Sequence, residues 1–216
     1  MAEHTGRERR RGRQRTGTFP SYKMDRSIRY RSRYERLMYF LLELDRDVIS
    51  YEHEPFKITA SFDDGTHPSY TPDIRTLCRK GRNKLYEIKG EDYVDDEHTL
   101  QQVQIGQAWS LENNHVFLLV SSADLFANHL LENAMTLWDY RWRRLPAPFI
   151  HECRTFVVSR GEGVTFGDLA DHLARTQPSL PAYIAICNML FHHHLEADLA
   201  TPLMPSLRLW VERDEG

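Results

Sequence analysis

The sequence has few cysteines and no long apolar run, and each shortage excludes a class of protein. Its three cysteines, Cys78, Cys153 and Cys187, are widely spaced and odd in number, unlike a disulfide framework or a zinc site. No segment approaches the ~18 apolar residues of a membrane span, and the basic N-terminus lacks an apolar signal core. We therefore expect a soluble cytoplasmic protein with reduced thiols and no membrane contact.

The distribution of charge along the chain is uneven. With 216 residues, 41% of them hydrophobic, the chain can bury a core and lies between one and two ordinary domains in size. Its net charge is −3, but residues 1–36 hold twelve Lys or Arg and four acids (+8), while the remainder holds sixteen against 27 (−11). An acidic body with a basic start favours a localised DNA contact.

The first part of this basic region, GRERRRGRQR at residues 6–15, has no apolar periodicity. We predict a disordered arm over residues 1–17 that contacts nucleic acid phosphates, with a merely solubilising tail as the alternative. Basic side chains continue beyond the arm. Those that we expect to contact DNA are Lys23, Arg26, Arg29, Arg31 and Arg33.

Residues 70–90 are the stretch around which the chain is organised. A Pro-Asp step opens a short strand, and a second strand returns after a glycine-containing turn. Side chains at i and i+2 share one face of a strand, so Glu87 and Lys89 project together. A two-residue turn would pair Asp73 with Ile88, and a three-residue turn would pair it with Lys89. We predict the three-residue turn, which places all three charged groups on one face.

Two carboxylates beside an ammonium group form an oxygen-rich cation site. The acids repel each other unless a divalent cation coordinates them, and Mg²⁺, or Mn²⁺ in its place, suits oxygen ligands better than zinc does. We predict that Asp73, Glu87 and the carbonyl of Ile88 hold the ion. Lys89 then orients or deprotonates a water, or neutralises phosphate charge. A solvated ion pair on an exposed strand is the alternative interpretation.

A helix is predicted to follow Ser32, because apolar residues recur at three- and four-residue spacing, namely Tyr34, Leu37, Met38, Leu41 and Leu44. Ser32 and Glu35 fit a capping box. Glu35 also lies at the margin of the apolar stripe, from which it can face the sheet as a third metal ligand. Both roles stay open.

The following segments predict an α/β domain. Strand candidates lie at 48–51 and 56–62, a turn at 63–68, a polar helix at 95–112 and an apolar strand at 116–120. A continuous apolar run between helices is typical of the middle of a mixed sheet. We therefore expect a mixed sheet with helices on its faces.

The sequence resembles the TnsA family, the endonuclease subunit of heteromeric Tn-seven-like transposases, within the PD-(D/E)XK nuclease superfamily. The likeness spans residues 18–120 and is carried by residues 18–58, YTPDI at 70–74 and YEIKG at 86–90. Two departures are visible. Glu54 precedes Pro55 where members often have Gln, and Arg33 and Tyr34 replace a frequent leucine pair.

The resemblance implies a restriction-endonuclease-like fold over residues 18–143. It implies four catalytic residues: Glu35, Asp73, Glu87 and Lys89. The implied activity is Mg²⁺-dependent cleavage of the transposon-end strand that the partner integrase-type transposase does not join. The implied location is the bacterial cytosol and nucleoid.

Residues 149–216 predict a separate small domain after a linker at 142–148 with two prolines. A helix begins at Thr165 or Gly167, a second follows Pro181, and residues 198–212 suggest a hairpin, which together outline a winged helix. The second helix has little Lys or Arg, so we expect protein docking instead of DNA reading. By resemblance, the partner is the AAA+ regulator ATPase. Three consecutive histidines, His192 to His194, point about 100° apart and are expected to have surface or capping roles.

The sequence is compatible with three functions. The first is the transposase endonuclease. The second is a stand-alone nuclease of the same superfamily, such as a junction resolvase or a phage or restriction enzyme. The third is a non-catalytic adaptor that touches DNA with its arm and recruits partners through its C-terminal domain.

Overall fold

A computed structural model describes residues 16–62, 65–161 and 163–212. Most of the predicted basic arm and the last four residues of the chain therefore lie outside the described residues, as do Asp63 and Asp64 of the predicted turn. The described part is mixed α/β. None of its helices is long and apolar enough to cross a membrane.

The elements follow one another in the order β1 (Gly17–Ser21), β2 (Arg26–Tyr30), α1 (Arg33–Leu44), β3 (Val48–His53), β4 (Ile58–Thr59), β5 (Ser69–Tyr70), β6 (Ile74–Cys78), β7 (Lys84–Lys89), a 3₁₀ turn (Glu91–Tyr93), α2 (Glu97–Glu112), β8 (Val116–Ser121), α3 (Ser122–Leu125), α4 (Leu130–Trp138), α5 (Ala147–Arg160), α6 (Phe166–Thr176), α7 (Ala182–Phe191), β9 (Glu196–Ala197) and β10 (Leu209–Trp210).

A four-stranded mixed sheet with the order β3-β6-β7-β8 forms the centre of the N-terminal part. Only the β7 and β8 pair is parallel. The prediction that β8 lies in the middle of the sheet is wrong, because β8 is an edge strand whose first five residues are half-buried. Ser121 ends the strand as the N-cap of α3, and the chain continues into helices instead of adding another strand.

The register between β6 and β7 differs from the predicted one by two residues. Ile74 pairs with Tyr86 and Thr76 with Lys84, so the next position back, Asp73, lies beside Glu87 and not beside Lys89. The predicted three-residue turn is wrong because the end of β6 is held towards β3: the amides of Arg79 and Lys80 both donate to Asp47. The connection between β6 and β7 still has an odd number of residues, so Asp73 lies on the same face of the sheet as Glu87 and Lys89.

Helix α1 covers one face of the sheet, and the β1-β2 hairpin packs beside it. Ser32 is the N-cap and accepts a hydrogen bond from the Glu35 amide over 3.1 Å, as predicted. The hairpin is tied to α1 by Glu43, a buried carboxylate that accepts hydrogen bonds from the Ser21 hydroxyl, the Lys23 amide and the Tyr51 hydroxyl. This hairpin was not predicted from the sequence.

Helix α2 covers the opposite face of the sheet, together with the short β4-β5 ribbon. Four buried apolar side chains join these elements, namely Ile58, Tyr70, Leu85 and Ile105. Gly106 allows α2 to approach closely, since a Cβ there would overlap the ring of Phe117. Strand β4 contains only two of the seven residues predicted for it.

The C-terminal part contains the two predicted helices, α6 and α7, and a short β9-β10 ladder. Helix α6 begins after the N-cap Thr165, and α7 directly follows Pro181. The ladder begins before the predicted hairpin, so residues 198–208 are its connection. Helix α5, which the analysis missed, carries a single narrow buried stripe: Phe149, Cys153 and Val157.

One continuous hydrophobic core joins the two predicted domains. Phe19 and Trp138 from the N-terminal part and Phe191 from α7 belong to the same buried cluster, and the rings of Trp138 and Phe191 lie 6.0 Å apart. The histidines cap this junction: His192 contacts the Arg141 carbonyl, and His193 contacts the Leu44 carbonyl.

Candidate active site

Asp73 lies directly before the first residue of β6, and its side chain faces strand β7. Its Oδ2 accepts a hydrogen bond from the Ile88 amide over 2.7 Å, and its own amide donates to the Tyr86 carbonyl. Pro72, which cannot donate a backbone hydrogen bond, precedes it and ends the ladder here. The Asp73 carboxylate is therefore fixed against the end of strand β7.

Glu87 is the most enclosed acid of the site, with an exposed fraction of 1%. Oε2 accepts a hydrogen bond from the Tyr70 hydroxyl over 2.7 Å, and Oε1 lies 2.5 Å from Nζ of Lys89. The Lys89 side chain keeps 23% of its surface exposed. A buried carboxylate is thus linked through one lysine to solvent at the end of the strand.

The two carboxylates of Asp73 and Glu87 interact unfavourably. The pKa of Asp73 is raised well above its ordinary value, first by burial and second by the negative charge of Glu87. The Ile88 amide and Lys89 lower it, but not enough to offset these two effects. A cation beside Asp73 would favour its charged form.

Glu35, in the first turn of α1, is also buried, with 5% of its surface exposed. Oε2 accepts hydrogen bonds from the Arg31 amide over 2.7 Å and from His53 Nε2 over 3.1 Å. Burial raises its pKa, but these hydrogen bonds outweigh burial and leave the pKa lowered. The predicted capping box is therefore wrong in one half, because the Glu35 side chain binds the amide of Arg31 and not that of Ser32.

Glu35 is close enough to Asp73 to raise its pKa further. The structure thus brings Asp73 near three charged groups, namely Glu35 of α1 and Glu87 and Lys89 of β7. Two residues that hold these acids were missed by sequence reasoning, namely Tyr70 and His53. A tyrosine and a histidine within short strands are usual core or surface residues, so neither carried a signal.

The donor set fits a hard divalent cation by its chemistry. Within the described chain, no hydrogen bond to Asp73 Oδ1 is present, so this carboxylate has an oxygen to offer. The Ile88 amide points to Asp73. Because the amide and the carbonyl of one strand residue face the same neighbour, the Ile88 carbonyl also faces the side of β7 on which Asp73 lies. However, no three His, Cys, Asp or Glu side chains in residues 16–62, 65–161 and 163–212 form a ready-made metal-binding group.

The basic residues that were expected to meet DNA have different surroundings. Arg26, Arg29 and Arg33 are exposed, while Arg31 forms an ion pair with Glu54 over 2.5 Å. Lys23 does not support the expected DNA contact. Its ammonium group donates to the carbonyls of Val48 and Asp45, and burial lowers its pKa to about 8. It ties the hairpin to the end of α1.

The chain was also compared with known protein families and with curated protein sequences. No family model matches it, and no curated protein matches it.

Proposed function

We propose that the protein is a divalent-metal-dependent DNA endonuclease. The observation that carries this proposal is the convergence of Asp73, Glu87 and Lys89 at the end of β7, with Glu35 reaching the same region from α1. A buried acid whose pKa is raised by neighbouring acids, as that of Asp73 is, is costly to stability, and such acids are found at functional sites.

Each side chain has a role that follows from its contacts. Asp73, Glu87, Glu35 and the carbonyl of Ile88 would hold Mg²⁺ or Mn²⁺. When bound, such an ion stabilises the charge of a phosphodiester undergoing hydrolysis. Lys89, which is partly exposed beside these acids, orients the attacking water and offsets developing negative charge.

The substrate class follows from the charges around the site. Exposed arginines near the end of β2, in the bend that follows it and at the start of α1 lie on the segment that leads directly to Glu35: Arg29, Arg31 and Arg33. Guanidinium groups in such a row bind backbone phosphates without reading bases. DNA bound along this segment would present its backbone to the acids.

The biological substrate that we propose is a transposon end, in the bacterial cytosol and nucleoid. The support is the resemblance to the TnsA family across residues 18–120, with all four catalytic residues in place. The protein would cut the strand that an integrase-type transposase leaves unjoined. The C-terminal part, residues 149–216, would dock an AAA+ regulator ATPase through its exposed apolar groups, such as Tyr183, Met204 and Trp210.

Strand-specific cleavage tests this proposal. Full-length protein, Mg²⁺ and the proposed partners, an integrase-type transposase and an AAA+ ATPase, would be incubated with duplexes that carry the transposon end, each strand labelled separately. We expect cuts in the unjoined strand that depend on the partners and disappear in Lys89→Ala. Cutting of generic or branched duplex by the protein alone would instead support a stand-alone nuclease.

A non-catalytic adaptor is the second candidate. It is favoured by the engagement of both Glu87 oxygens and by the lack of a ready-made metal group among the described residues. Isothermal titration with Mg²⁺ and Mn²⁺ distinguishes the two functions. Metal uptake by wild type that is lost in Asp73→Asn supports the nuclease, and no uptake by wild type supports the adaptor.

A further inference from the structure

Arg31 is connected to the candidate site twice. Its backbone amide donates to Glu35 Oε2, and its guanidinium group pairs with Glu54 Oε1 over 2.5 Å. The Arg31 side chain is 64% exposed and that of Glu54 is 26% exposed. The ion pair thus lies at the solvent boundary of the site, and the backbone of its arginine is bonded to the buried carboxylate of Glu35.

Glu54 is held in place by its backbone. Its φ of 45° is in the left-handed region, which is uncommon for a residue other than glycine. Its amide donates to the Asp73 carbonyl over 2.9 Å. The ion pair therefore joins a segment fixed to Glu35 with a segment fixed to Asp73.

We propose that Glu54 occupies the place of a DNA phosphate on Arg31 in the free protein, and that a phosphodiester of bound DNA displaces it. This inference rests on the proposed function and adds a residue that sets DNA affinity at the same site. A guanidinium group binds carboxylate and phosphate oxygens with the same fork geometry, so one ligand can replace the other without movement of the backbone.

The energetics allow this exchange. An exposed ion pair contributes little net free energy, so a phosphate that is also bound by neighbouring cations can displace it. Arg29 and Arg33 supply such cations, at exposed positions two residues before and two residues after Arg31. Once displaced, the Glu54 carboxylate faces the phosphate and lowers the affinity for DNA.

A second ion pair provides a matched control. Glu52 and Arg75 are 2.8 Å apart, with side chains 48% and 41% exposed, on the neighbouring strands β3 and β6. Glu52→Gln and Glu54→Gln change the net charge equally and each releases one arginine. Only Glu54→Gln releases the arginine of the candidate site.

The experiment is fluorescence anisotropy of a labelled generic duplex with the full-length protein in EDTA, over a series of salt concentrations. We expect Glu54→Gln to bind about two- to five-fold more tightly than wild type at low salt, and Glu52→Gln to change binding much less. Arg31→Ala should weaken binding and reduce the slope of log affinity against log salt by about 0.9. In the Arg31→Ala background, Glu54→Gln should give no gain beyond that of Glu52→Gln.

Equal gains from the two glutamine variants, a gain that persists without Arg31, or no DNA binding by any variant would overturn the inference. Thermal denaturation by circular dichroism checks that all variants fold. Cleavage by wild type in Mg²⁺, measured separately, tests the proposed nuclease. If wild type cuts DNA but Glu54→Gln binds DNA as Glu52→Gln does, only the role of Glu54 is rejected. If the effect of Glu54→Gln depends on Arg31 but wild type does not cut DNA, only the nuclease is rejected.

Discussion

Tyr70 donates a hydrogen bond from its hydroxyl group to Oε2 of Glu87 over 2.7 Å, and both residues are buried. The other oxygen of Glu87 is paired with Lys89. Each oxygen of this carboxylate therefore has one fixed partner, which sets its orientation. The proximity of Glu87 raises the pKa of the Tyr70 hydroxyl in addition to the larger effect of burial, so this group stays a hydrogen-bond donor at all physiological pH values.

Tyr70→Phe should destabilise the protein, because one oxygen of a buried carboxylate loses its donor. The expected loss in the free energy of unfolding is about 1 to 3 kcal/mol, measured by urea denaturation. Tyr93→Phe is the control, since Tyr93 is 54% exposed. If the two variants were equally stable, the hydrogen bond would not be what holds Glu87.

Lys89→Ala should abolish cleavage while leaving DNA binding nearly intact. The rate should fall by about 10²- to 10³-fold, as on removal of one electrostatic stabiliser, because the only ammonium group paired with Glu87 within the described chain is lost. Single-turnover cleavage measures the rate, and anisotropy measures the binding. Lys57→Ala, an exposed lysine of the same domain, is the control. Wild-type cleavage by Lys89→Ala would refute the role given to this lysine.

Local sequence signals predicted those parts of the structure that depend on neighbouring residues. The N-cap at Ser32 and the helix after Pro181 were predicted and are present, and the helix predicted to begin at Thr165 or Gly167 begins at Phe166. Alternation along β7 correctly placed Glu87 and Lys89 on one face. These features are set within about four residues along the chain, where propensity and periodicity act.

Long-range contacts explain what the sequence did not predict. The β6-β7 register depends on Asp47, which lies in the turn before β3 and holds the amides of Arg79 and Lys80. Strand β8 lies at the edge because the chain after it forms helices and adds no strand beside it, which the apolar composition of β8 does not indicate. The partners of Glu35 and Glu87, His53 and Tyr70, are 18 and 17 residues away in sequence.

Asn188 links α7 to the end of the N-terminal part, so its loss should lower the stability of the whole chain. Its side-chain amide donates to the carbonyls of Tyr140 and Arg143, and the residue is 2% exposed. We expect Asn188→Ala to cost about 1 to 3 kcal/mol while unfolding remains a single transition in urea. Asn113→Ala, which removes an exposed amide contact, is the control. Separate transitions for the two parts would contradict the shared core.

Asp73→Asn should stabilise the metal-free protein, and increasingly so at higher pH. The pKa of Asp73 is raised by burial and by Glu87, so the folded state favours its protonated form. Its contribution to stability is present at low pH and is lost as the pH rises through the raised pKa. The gain from the variant should therefore be small near pH 4 and grow towards pH 8, measured by urea denaturation in EDTA. Asp92→Asn, an exposed acid nearby, should show no such trend.

Mg²⁺ should stabilise wild type but not Asp73→Asn. An ion that binds only the folded state at 100 times its dissociation constant adds about 2.7 kcal/mol to the free energy of unfolding, which thermal denaturation with and without Mg²⁺ detects. Asp73→Asn retains a side-chain oxygen for the Ile88 amide but loses the charge that the ion requires. An equal shift in both proteins would place the ion elsewhere, and the acidic start of α2 is the region to test next. There, Asp95→Asn would be expected to remove the shift that Asp73→Asn had left unchanged.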